Sequence, residues 1–420
     1  MPAKQIKVLY VCPFAHYPGH FSWAATRETG ALKQAGIDVR LLTFCGVIDE
    51  AEVKAPQHIV ISSTGLGHFV RQSFTVLRKN TITRWLVMSF ETFLTLTTAI
   101  KLKKRLEIDV IHLRDGEPYL FLPHILCLPL TGYKWLISLT ASNIYPPTEI
   151  KSIKLFIYST ALRIVNNGMW RPLYKLSMKR NQFFFAVQNE VAKLDYSNYM
   201  GGAFDGRVEC LPVGTSITTE VISKQAARRY LGIPLKKPVF LAFGAYHSGK
   251  DLETIFRALK NLPEVYFVHA GSQAFGLGVT LEEVAKGYID VNRMSIRNYY
   301  VPENEKPYYF FAADAVILSY TRQFLSTSSL LWEACRFKTP VVASDTGQLK
   351  ELVEKYQPGL LFNAQDPDSL REAIIRFINL KPKEIEALKD NCRRFASEFS
   401  HEKWAQKCLE IYTKLLADNS

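Results

Sequence analysis

Short apolar runs alternate with amphipathic helical patterns along almost the whole chain. The first run, residues 6–12, is followed by a turn, by a helical pattern that Gly36 ends, and by a second run at residues 39–44. Apolar runs of this length that alternate with helices are typical of strands buried on both faces of a parallel sheet. The sequence therefore predicts an α/β fold.

The alternation occurs twice, so a chain of 420 residues is expected to form two domains of the same class. Because the turn-like residues 212–217 separate the two series, we predict Rossmann-like domains at residues 1–214 and 215–396. Further strands are predicted at residues 58–62, 110–113, 134–139, 183–187, 208–211, 238–243, 265–270, 315–319 and 340–344. Helices are predicted at residues 251–261, 368–378, 383–399 and 403–416.

The chain carries 52 basic and 39 acidic residues, a formal net charge of +13. Much of the basic excess lies in residues 71–105 and 151–180, where it is interleaved with large apolar side chains such as Trp85 and Trp170. Segments of this kind bind anionic bilayer surfaces, and the alternative is a solvated face around a core helix. No nucleic-acid-binding motif accompanies the charge, so no nucleic acid partner is expected.

Targeting and metal-binding patterns are not found in the sequence. The seven cysteines are scattered without a C-x-x-C pair, which predicts a reducing, cytoplasmic compartment without a disulfide framework. The N-terminal residues resemble no signal peptide, and the most apolar window, residues 85–100, is shorter than a membrane-spanning helix requires. Since H-x-E and H-E-x-x-H patterns are also missing, we expect no transmembrane helix and no metal site.

Residues 314–362 contain the most informative pattern. A predicted strand leads into a polar loop, which begins a helix that contains Glu333. The N–H groups and hydroxyls at a helix N-terminus bind phosphate, and a carboxylate one turn further on is suited to the two hydroxyls of a ribose. The alternative is that Ser328 only caps the helix and that Glu333 lies on the surface. The hydroxyl groups are those of Ser326, Thr327, Ser328 and Ser329.

This region resembles the donor-binding half of family 4 glycosyltransferases, which have the GT-B fold. Gly244 and Lys250 resemble a family segment in which the lysine contacts the donor diphosphate, and Gly271 ends a similar strand. The resemblance implies two Rossmann-like domains facing each other across a cleft, with residues 397–420 returning as a helix to the N-terminal domain. The residues that match the family pattern in order are Glu333, Ala334, Thr339, Pro340, Val341, Val342, Ala343, Ser344, Asp345, Gly347, Glu351, Gly359, Leu360 and Leu361.

The resemblance implies a retaining, metal-independent hexosyltransferase. It would move a sugar from a UDP- or GDP-linked donor, without a further cofactor, to a glycan or lipid-linked acceptor in polysaccharide or glycolipid biosynthesis. Lys250 and the helix N-terminus would stabilise the leaving diphosphate, and Glu333 would bind the ribose. A cytoplasmic, peripheral position at the inner face of the plasma membrane follows. The predicted donor-binding residues are Gly19, His20, Gly244, His247, Lys250, Gly271, Arg322, Ser326, Thr327, Ser328, Ser329 and Glu333.

The predicted acceptor side lies after the strand at residues 110–113. A carboxylate and a guanidinium at this point are suited to contact an acceptor hydroxyl, and Glu117 is the candidate catalytic group there. Alternatively, Arg114 and Asp115 form an ion pair that fixes the loop. The predicted acceptor-side residues are His112, Arg114, Asp115, Glu117 and Thr140.

Several positions depart from the family pattern. Leu325 stands in place of the first glutamate, Ala245 in place of an arginine, Thr140 in place of a histidine and Lys338 in place of a glycine. Either neighbours such as His247 substitute for the missing polar groups, or the activity is lost. Two further hypotheses therefore stay open: a non-catalytic GT-B subunit that binds a glycan or a partner glycosyltransferase, and a sugar-nucleotide epimerase or hydrolase.

Overall fold

The computed structural model describes residues 5–16, 20–45, 58–61, 81–115, 133–139, 183–200, 206–246, 249–272, 280–324 and 328–417. The chain divides into two compact units. Unit 1 comprises Met1–Pro212 and His401–Ser420, and unit 2 comprises Val213–Ser400. The boundaries predicted from the sequence, after residues 214 and 396, lie two and four residues from the observed ones.

Unit 1 contains a parallel sheet with the strand order β3-β2-β1-β4-β5-β6-β7. Its strands are β1 (Lys7–Cys12), β2 (Asp38–Thr43), β3 (His58–Val60), β4 (Val110–Leu113), β5 (Lys134–Ser138), β6 (Phe183–Val187) and β7 (Val208–Cys210). Helices α1 (His20–Gln34), α2 (Thr81–Arg105) and α3 (Glu190–Met200) belong to the same unit. The central strands β1, β4, β5 and β6 are buried on both faces, as their continuous apolar runs predict.

Successive side chains of β1 enter different cores, because a strand presents them alternately to the two faces of its sheet. Leu9 and Val11 pack in one cluster with Leu96 of α2, and Val8 and Tyr10 pack in the other with Leu32 of α1. The two helices therefore cover opposite faces of the sheet at β1.

Unit 2 contains a second parallel sheet, with the order β10-β9-β8-β11-β12-β13. Its strands are β8 (Val239–Phe243), β9 (Tyr266–Ala270), β10 (Met294–Arg297), β11 (Ala315–Leu318), β12 (Val341–Ser344) and β13 (Gly359–Phe362). Its helices are α4 (Lys224–Leu231), α5 (Leu252–Lys260), α6 (Leu281–Lys286), α7 (Lys306–Ala312), α8 (Ser329–Arg336), α9 (Gly347–Tyr356), α10 (Pro367–Ile378) and α11 (Pro382–Glu398).

The prediction of an α/β fold with two parallel sheets is confirmed. In each sheet the order of the strands reverses once, between β1 and β4 in unit 1 and between β8 and β11 in unit 2. Chain segments that leave the carboxyl ends of such a strand pair diverge, and the resulting crevice is where open α/β sheets bind ligands. Each unit therefore has one favoured position for a site.

The chain returns to unit 1 after unit 2, through α12 (His401–Ala417). Trp404 and Tyr412 of this helix pack in the cluster that contains Val8 and Tyr10. The helix predicted at residues 403–416 is thus part of the hydrophobic core of unit 1.

Two glycines bring the loops after β8 and β9 into backbone contact. Gly244 has a φ of +84°, and a Cβ atom on Gly271 would lie 2.2 Å from the carbonyl oxygen of Gly244. A side chain at Gly271 would push the loops apart, and one at Gly244 would be strained by the positive φ. Lys338, which replaces a glycine of the family pattern, has a φ of +56° and so adopts the left-handed conformation that favours glycine.

The apolar window at residues 85–100 lies within α2, a helix of 25 residues. Its Glu91 is fully buried and lies 3.4 Å from His16. Among the helices that the structure describes, none is both long and apolar enough to cross a membrane. The basic segment at residues 151–180 lies outside the described residues.

Candidate functional site

Lys250 lies where the strand order of the second sheet reverses, between β8 and β11. On one side of it, the Asp251 amide donates to the carbonyl of Ser319 over 3.0 Å, and on the other, the Thr321 amide donates to Gly249 over the same distance. These bonds join the segment after β8 to the segment after β11. Lys250 therefore lies at the position where an α/β sheet of this order binds its ligand.

The amine of Lys250 is directed into the sheet edge. Its Nζ donates a hydrogen bond of 2.6 Å to the carbonyl oxygen of Phe243, the last residue of β8. Desolvation by burial lowers the pKa of Lys250 to about 7. An anion bound beside the amine would favour its charged form and raise that pKa again.

The N-terminus of α8 lies next to this position. Ser328 is the N-cap residue, but its side chain makes no capping hydrogen bond. Its Oγ instead lies 2.7 Å from the hydroxyl of Tyr320, whose ring stacks on that of Phe324 with 4.1 Å between centroids. The alternative that Ser328 acts only as a helix cap is therefore wrong.

Glu333 is buried on α8, with 6% of its surface exposed. Its Oε2 lies 3.5 Å from Nη1 of Arg336, which also lies 3.6 Å from the carboxylate of Glu303. The alternative that placed Glu333 on the surface is wrong. A buried carboxylate held by an arginine has the fixed geometry that recognition of a diol requires.

Other predicted donor residues have different surroundings. Gly244 and Gly271 form the backbone contact described above. Arg322 follows β11 and donates from Nε to the carbonyl of Ala364 over 3.2 Å, so this nitrogen ties two loops together. Ser329 is the first residue of α8.

Some of the predicted residues lie outside the described part of the chain. His20 is the first residue of α1, but its side chain is not among those described. Nothing structural is therefore added to the predictions for these positions. The predicted residues outside the described ranges are Gly19, Glu117, Thr140, His247, Ser326 and Thr327.

On the predicted acceptor side, a buried ionic cluster lies at the carboxyl ends of β1 and β4. Arg114 donates from Nε to Glu28 over 3.0 Å and from Nη1 to Asp115 over 2.9 Å. The hydroxyl of Tyr10 donates to the same carboxylate oxygen of Glu28. Asp115 has a φ of +60°, a strained conformation for a residue with a side chain. This is the arrangement that the ion-pair alternative for Arg114 and Asp115 predicts.

His112 is completely buried in unit 1. Its Nδ1 lies 2.7 Å from the hydroxyl of Tyr412 on α12, and its Nε2 lies 2.6 Å from Oγ of Ser138 on β5. Desolvation by burial lowers its pKa to about 3, so the ring is neutral at pH 7. Both ring nitrogens therefore serve contacts within unit 1.

Acid should destabilise the protein through His112 and His269, because burial lowers the pKa of each to about 3. The unfolded chain titrates near pH 6.5 and therefore binds more protons between these values, so the free energy of unfolding falls as the pH falls from about 6.5 towards 3. We expect a loss on the order of 2 kcal/mol per histidine at pH 5 relative to pH 7, measured by urea unfolding. An equal pH dependence in His269→Leu would contradict this account.

The structure also identifies polar residues that sequence reasoning missed. Glu28 joins Arg114 across 86 sequence positions, a contact for which the helical pattern of α1 gave no signal. His269 and Ser319 face the same pocket as Lys250. His269 is a single histidine in an apolar strand, so it belongs to no motif with a characteristic spacing. In the sequence, only its position two residues before Gly271 suggested that it lies near the site. Within the described ranges, no three His, Cys, Asp or Glu side chains come together as a metal site.

Comparison with known proteins relates unit 2 to a described family. Residues 223–395 match the family model described as "Glycosyl transferases group 1". Unit 2 is similar to this family over most of its length. The resemblance to glycosyltransferases seen in the sequence is thereby confirmed, and Lys250 and Glu333 both lie within the group 1 match.

The chain spans about half the length of the curated relatives it matches. It is 28% identical over 217 residues to the D-inositol 3-phosphate glycosyltransferase of Corynebacterium urealyticum, an alignment that covers 50% of this chain and 49% of that protein.

Solved structures match this chain over nearly its whole length. Sucrose-phosphate synthase from Thermosynechococcus elongatus superposes with a TM-score of 0.73 at 16% identity, covering 99% of this chain and 100% of that one. Anabaena Alr3699/HepE in complex with UDP and glucose superposes with a TM-score of 0.67 at 16% identity, covering 98% and 100%. The fold is therefore that of GT-B glycosyltransferases.

Proposed function

We propose that the protein is a glycosyltransferase that moves a hexose from a nucleoside diphosphate donor to a hydroxyl group of a glycan or lipid-linked acceptor. The observation that carries this proposal is the position of Lys250, a desolvated amine at the strand reversal of a group 1 domain. Burial makes the charged amine costly when no anion is bound, so an arriving diphosphate gains a strong interaction.

The diphosphate binds between Lys250 and the N-terminus of α8. The first N–H groups of a helix have no intrahelical acceptors, and they favour negative charge together with the helix dipole. Glu333 lies on the same helix and binds the ribose hydroxyls. A protein of similar fold is described in complex with UDP and glucose, which supports a nucleotide-linked sugar as the donor. The proposed base is uracil or guanine.

Transfer proceeds with retention and without a metal ion. The bond between the anomeric carbon and the diphosphate oxygen breaks, and the acceptor oxygen forms a new bond on the same face. The acceptor proton passes to the departing phosphate, so no protein nucleophile is required. Lys250 and the α8 N-terminus stabilise the charge that develops on the leaving group.

Unit 1 supplies the acceptor side, and its basic segments contact an anionic membrane from the cytoplasmic face. The last turn of α2 contains Lys103, Lys104 and Arg105, and Phe90 on the same helix is 39% exposed. Cationic and aromatic side chains together favour an interfacial position, which suits a lipid-linked acceptor in polysaccharide or glycolipid synthesis.

Calorimetric titration with UDP, GDP, ADP and their sugar conjugates tests this proposal. We expect one nucleotide to bind, and we expect Glu333→Gln to weaken that binding by about tenfold because the neutral amide is a poorer partner for the two ribose hydroxyls. Glu354→Gln is the matched control, since Glu354 is an exposed residue of α9 in the same unit. It should bind like the wild type.

Turnover then separates the three enzyme and binding hypotheses. Transfer to an added acceptor supports the glycosyltransferase, and donor turnover without any acceptor would favour the epimerase or hydrolase. If no nucleotide in the panel binds, the enzyme proposal fails and the non-catalytic subunit becomes the better account.

A further inference from the structure

Lys250 lines a small pocket, which we call the Lys250 pocket. It is formed by the carboxyl halves of β8, β9 and β11 and by parts of α5 and α8. Most of its lining is apolar. The polar side chains are those of Lys250, His269, Ser319 and Tyr320.

Two of these polar groups are buried without a hydrogen-bond partner among the described residues. His269 is 2% exposed, and neither nitrogen of its ring has such a partner. Ser319 is 4% exposed, and its Oγ also has no hydrogen-bond partner among the described residues. Leaving a polar group buried and unpaired costs about 1–3 kcal/mol, so such groups in a pocket point to a ligand that completes their bonding.

The chemistry of the Lys250 pocket favours an anionic oxygen. The ring of His269 is neutral because burial lowers its pKa to about 3, so one of its nitrogens is an N–H donor. Ser319 contributes a hydroxyl donor, and the amine of Lys250 has donors beyond the one directed at Phe243. Three donors that line one largely apolar pocket stabilise an oxyanion more strongly than they would in water.

The sequence supplies an independent reason to look for additional donors here. Ala245 stands where the family pattern has an arginine, so a cationic group is missing immediately after Gly244. The position of the missing Cβ of Gly244 is 3.3 Å from Nζ of Lys250, a residue that lines the pocket. The donors that line the pocket are thus close to Ala245, the position where the arginine of the family pattern is missing.

We propose that His269 and Ser319, together with Lys250, bind one phosphoryl oxygen of the donor's diphosphate. This inference rests on the proposed function and deepens it, since it names two specificity-determining residues for the diphosphate. The imidazole N–H and the hydroxyl each donate one hydrogen bond to that oxygen, and Lys250 adds its charge.

The variants His269→Leu and Ser319→Ala test the inference in the full-length protein. Binding of inorganic pyrophosphate, of the nucleoside diphosphate that the wild type prefers and of the corresponding nucleoside is measured by calorimetry. We expect each variant to bind both diphosphates about tenfold more weakly and the nucleoside unchanged, because only the phosphoryl contact is lost.

Thermal unfolding distinguishes this role from a structural one. Each variant removes a buried polar group without a partner among the described residues, so its Tm should equal or exceed that of the wild type. Tyr266→Phe is the matched control, since Tyr266 lies on β9 with His269 and its hydroxyl donates to Met294 over 3.2 Å. It should lower Tm and leave diphosphate binding unchanged.

Three results would overturn the inference. If both variants bind pyrophosphate and nucleoside diphosphate like the wild type, the pocket takes only water. If affinity falls together with Tm and nucleoside binding, the residues are structural. If the wild type binds no diphosphate at all, the proposed function fails as well. If the wild type binds diphosphate and the variants bind it equally well, only the present inference fails.

Discussion

Replacing Glu28 by alanine is expected to lower the free energy of unfolding by about 3–5 kcal/mol, because it leaves a buried guanidinium without one of its two carboxylates. Arg114 is 5% exposed, so water cannot replace the lost partner. The hydroxyl of Tyr10 loses its acceptor in the same variant. Urea unfolding of the full chain measures the loss, and hydrogen exchange at the amides of β1 and β4 shows whether it arises at the cluster.

A second carboxylate in unit 1 provides the control. Glu107 forms an ion pair of 3.2 Å with Lys7, but it is 82% exposed. Glu107→Ala should change the free energy of unfolding by less than about 1 kcal/mol, as for exposed ion pairs in general. The triple variant Glu28→Leu, Arg114→Met and Asp115→Asn should be more stable than Glu28→Ala, since it removes all three charges of the cluster together. An effect of Glu28→Ala no larger than that of Glu107→Ala would refute the account of the cluster.

Replacing Lys250 by methionine should weaken the binding of the preferred nucleoside diphosphate by about 100-fold, because a charged partner of the diphosphate is lost in apolar surroundings. Methionine keeps much of the length of the lysine side chain, and it removes an amine that burial makes costly. Stability should therefore not fall at pH 7. Calorimetry and thermal unfolding measure the two effects on the same sample.

The pH dependence of Lys250 gives a further readout of the same variant. The folded state has the lower pKa, about 7 against 10.5, so the unfolded state binds more protons between these values. The free energy of unfolding of the wild type should therefore rise relative to Lys250→Met as the pH rises from about 7 towards 10. At pH 8, diphosphate binding to the wild type should take up a proton, which calorimetry in two buffers of different ionisation enthalpy detects. Binding without proton uptake would contradict this charge state for the amine.

The sequence predicted the sheets well because their strands have continuous apolar runs. The strands Val110–Leu113 and Phe183–Val187 lie at the predicted residues, since turn residues and polar residues flank runs that are buried on both faces. The strand predicted at residues 58–62 ends at Val60, because its border position in the sheet leaves it only partly buried and its apolar pattern weak.

The site was predictable only where a local pattern exists. Glu333 and Lys250 were predicted from spacings within short stretches of the chain. Lys250 lies after the carboxyl end of β8, and Glu333 lies on α8. Glu28 and Tyr412 were not predicted because their partners, Arg114 and His112, lie 86 and 300 positions away. Contacts over such separations depend on strand order, which apolar periodicity does not specify.

The position of α12 after unit 2 in the chain determines when the core of unit 1 can be completed during synthesis. Residues 213–400 form unit 2, and they separate the first sheet from the helix that covers one of its faces. A ribosome thus produces all of unit 2 before it produces the side chains that bury Val8 and Tyr10. Unit 2 can fold while it emerges, whereas in the nascent unit 1 the face that α1 covers stays incompletely covered until translation has passed Tyr412.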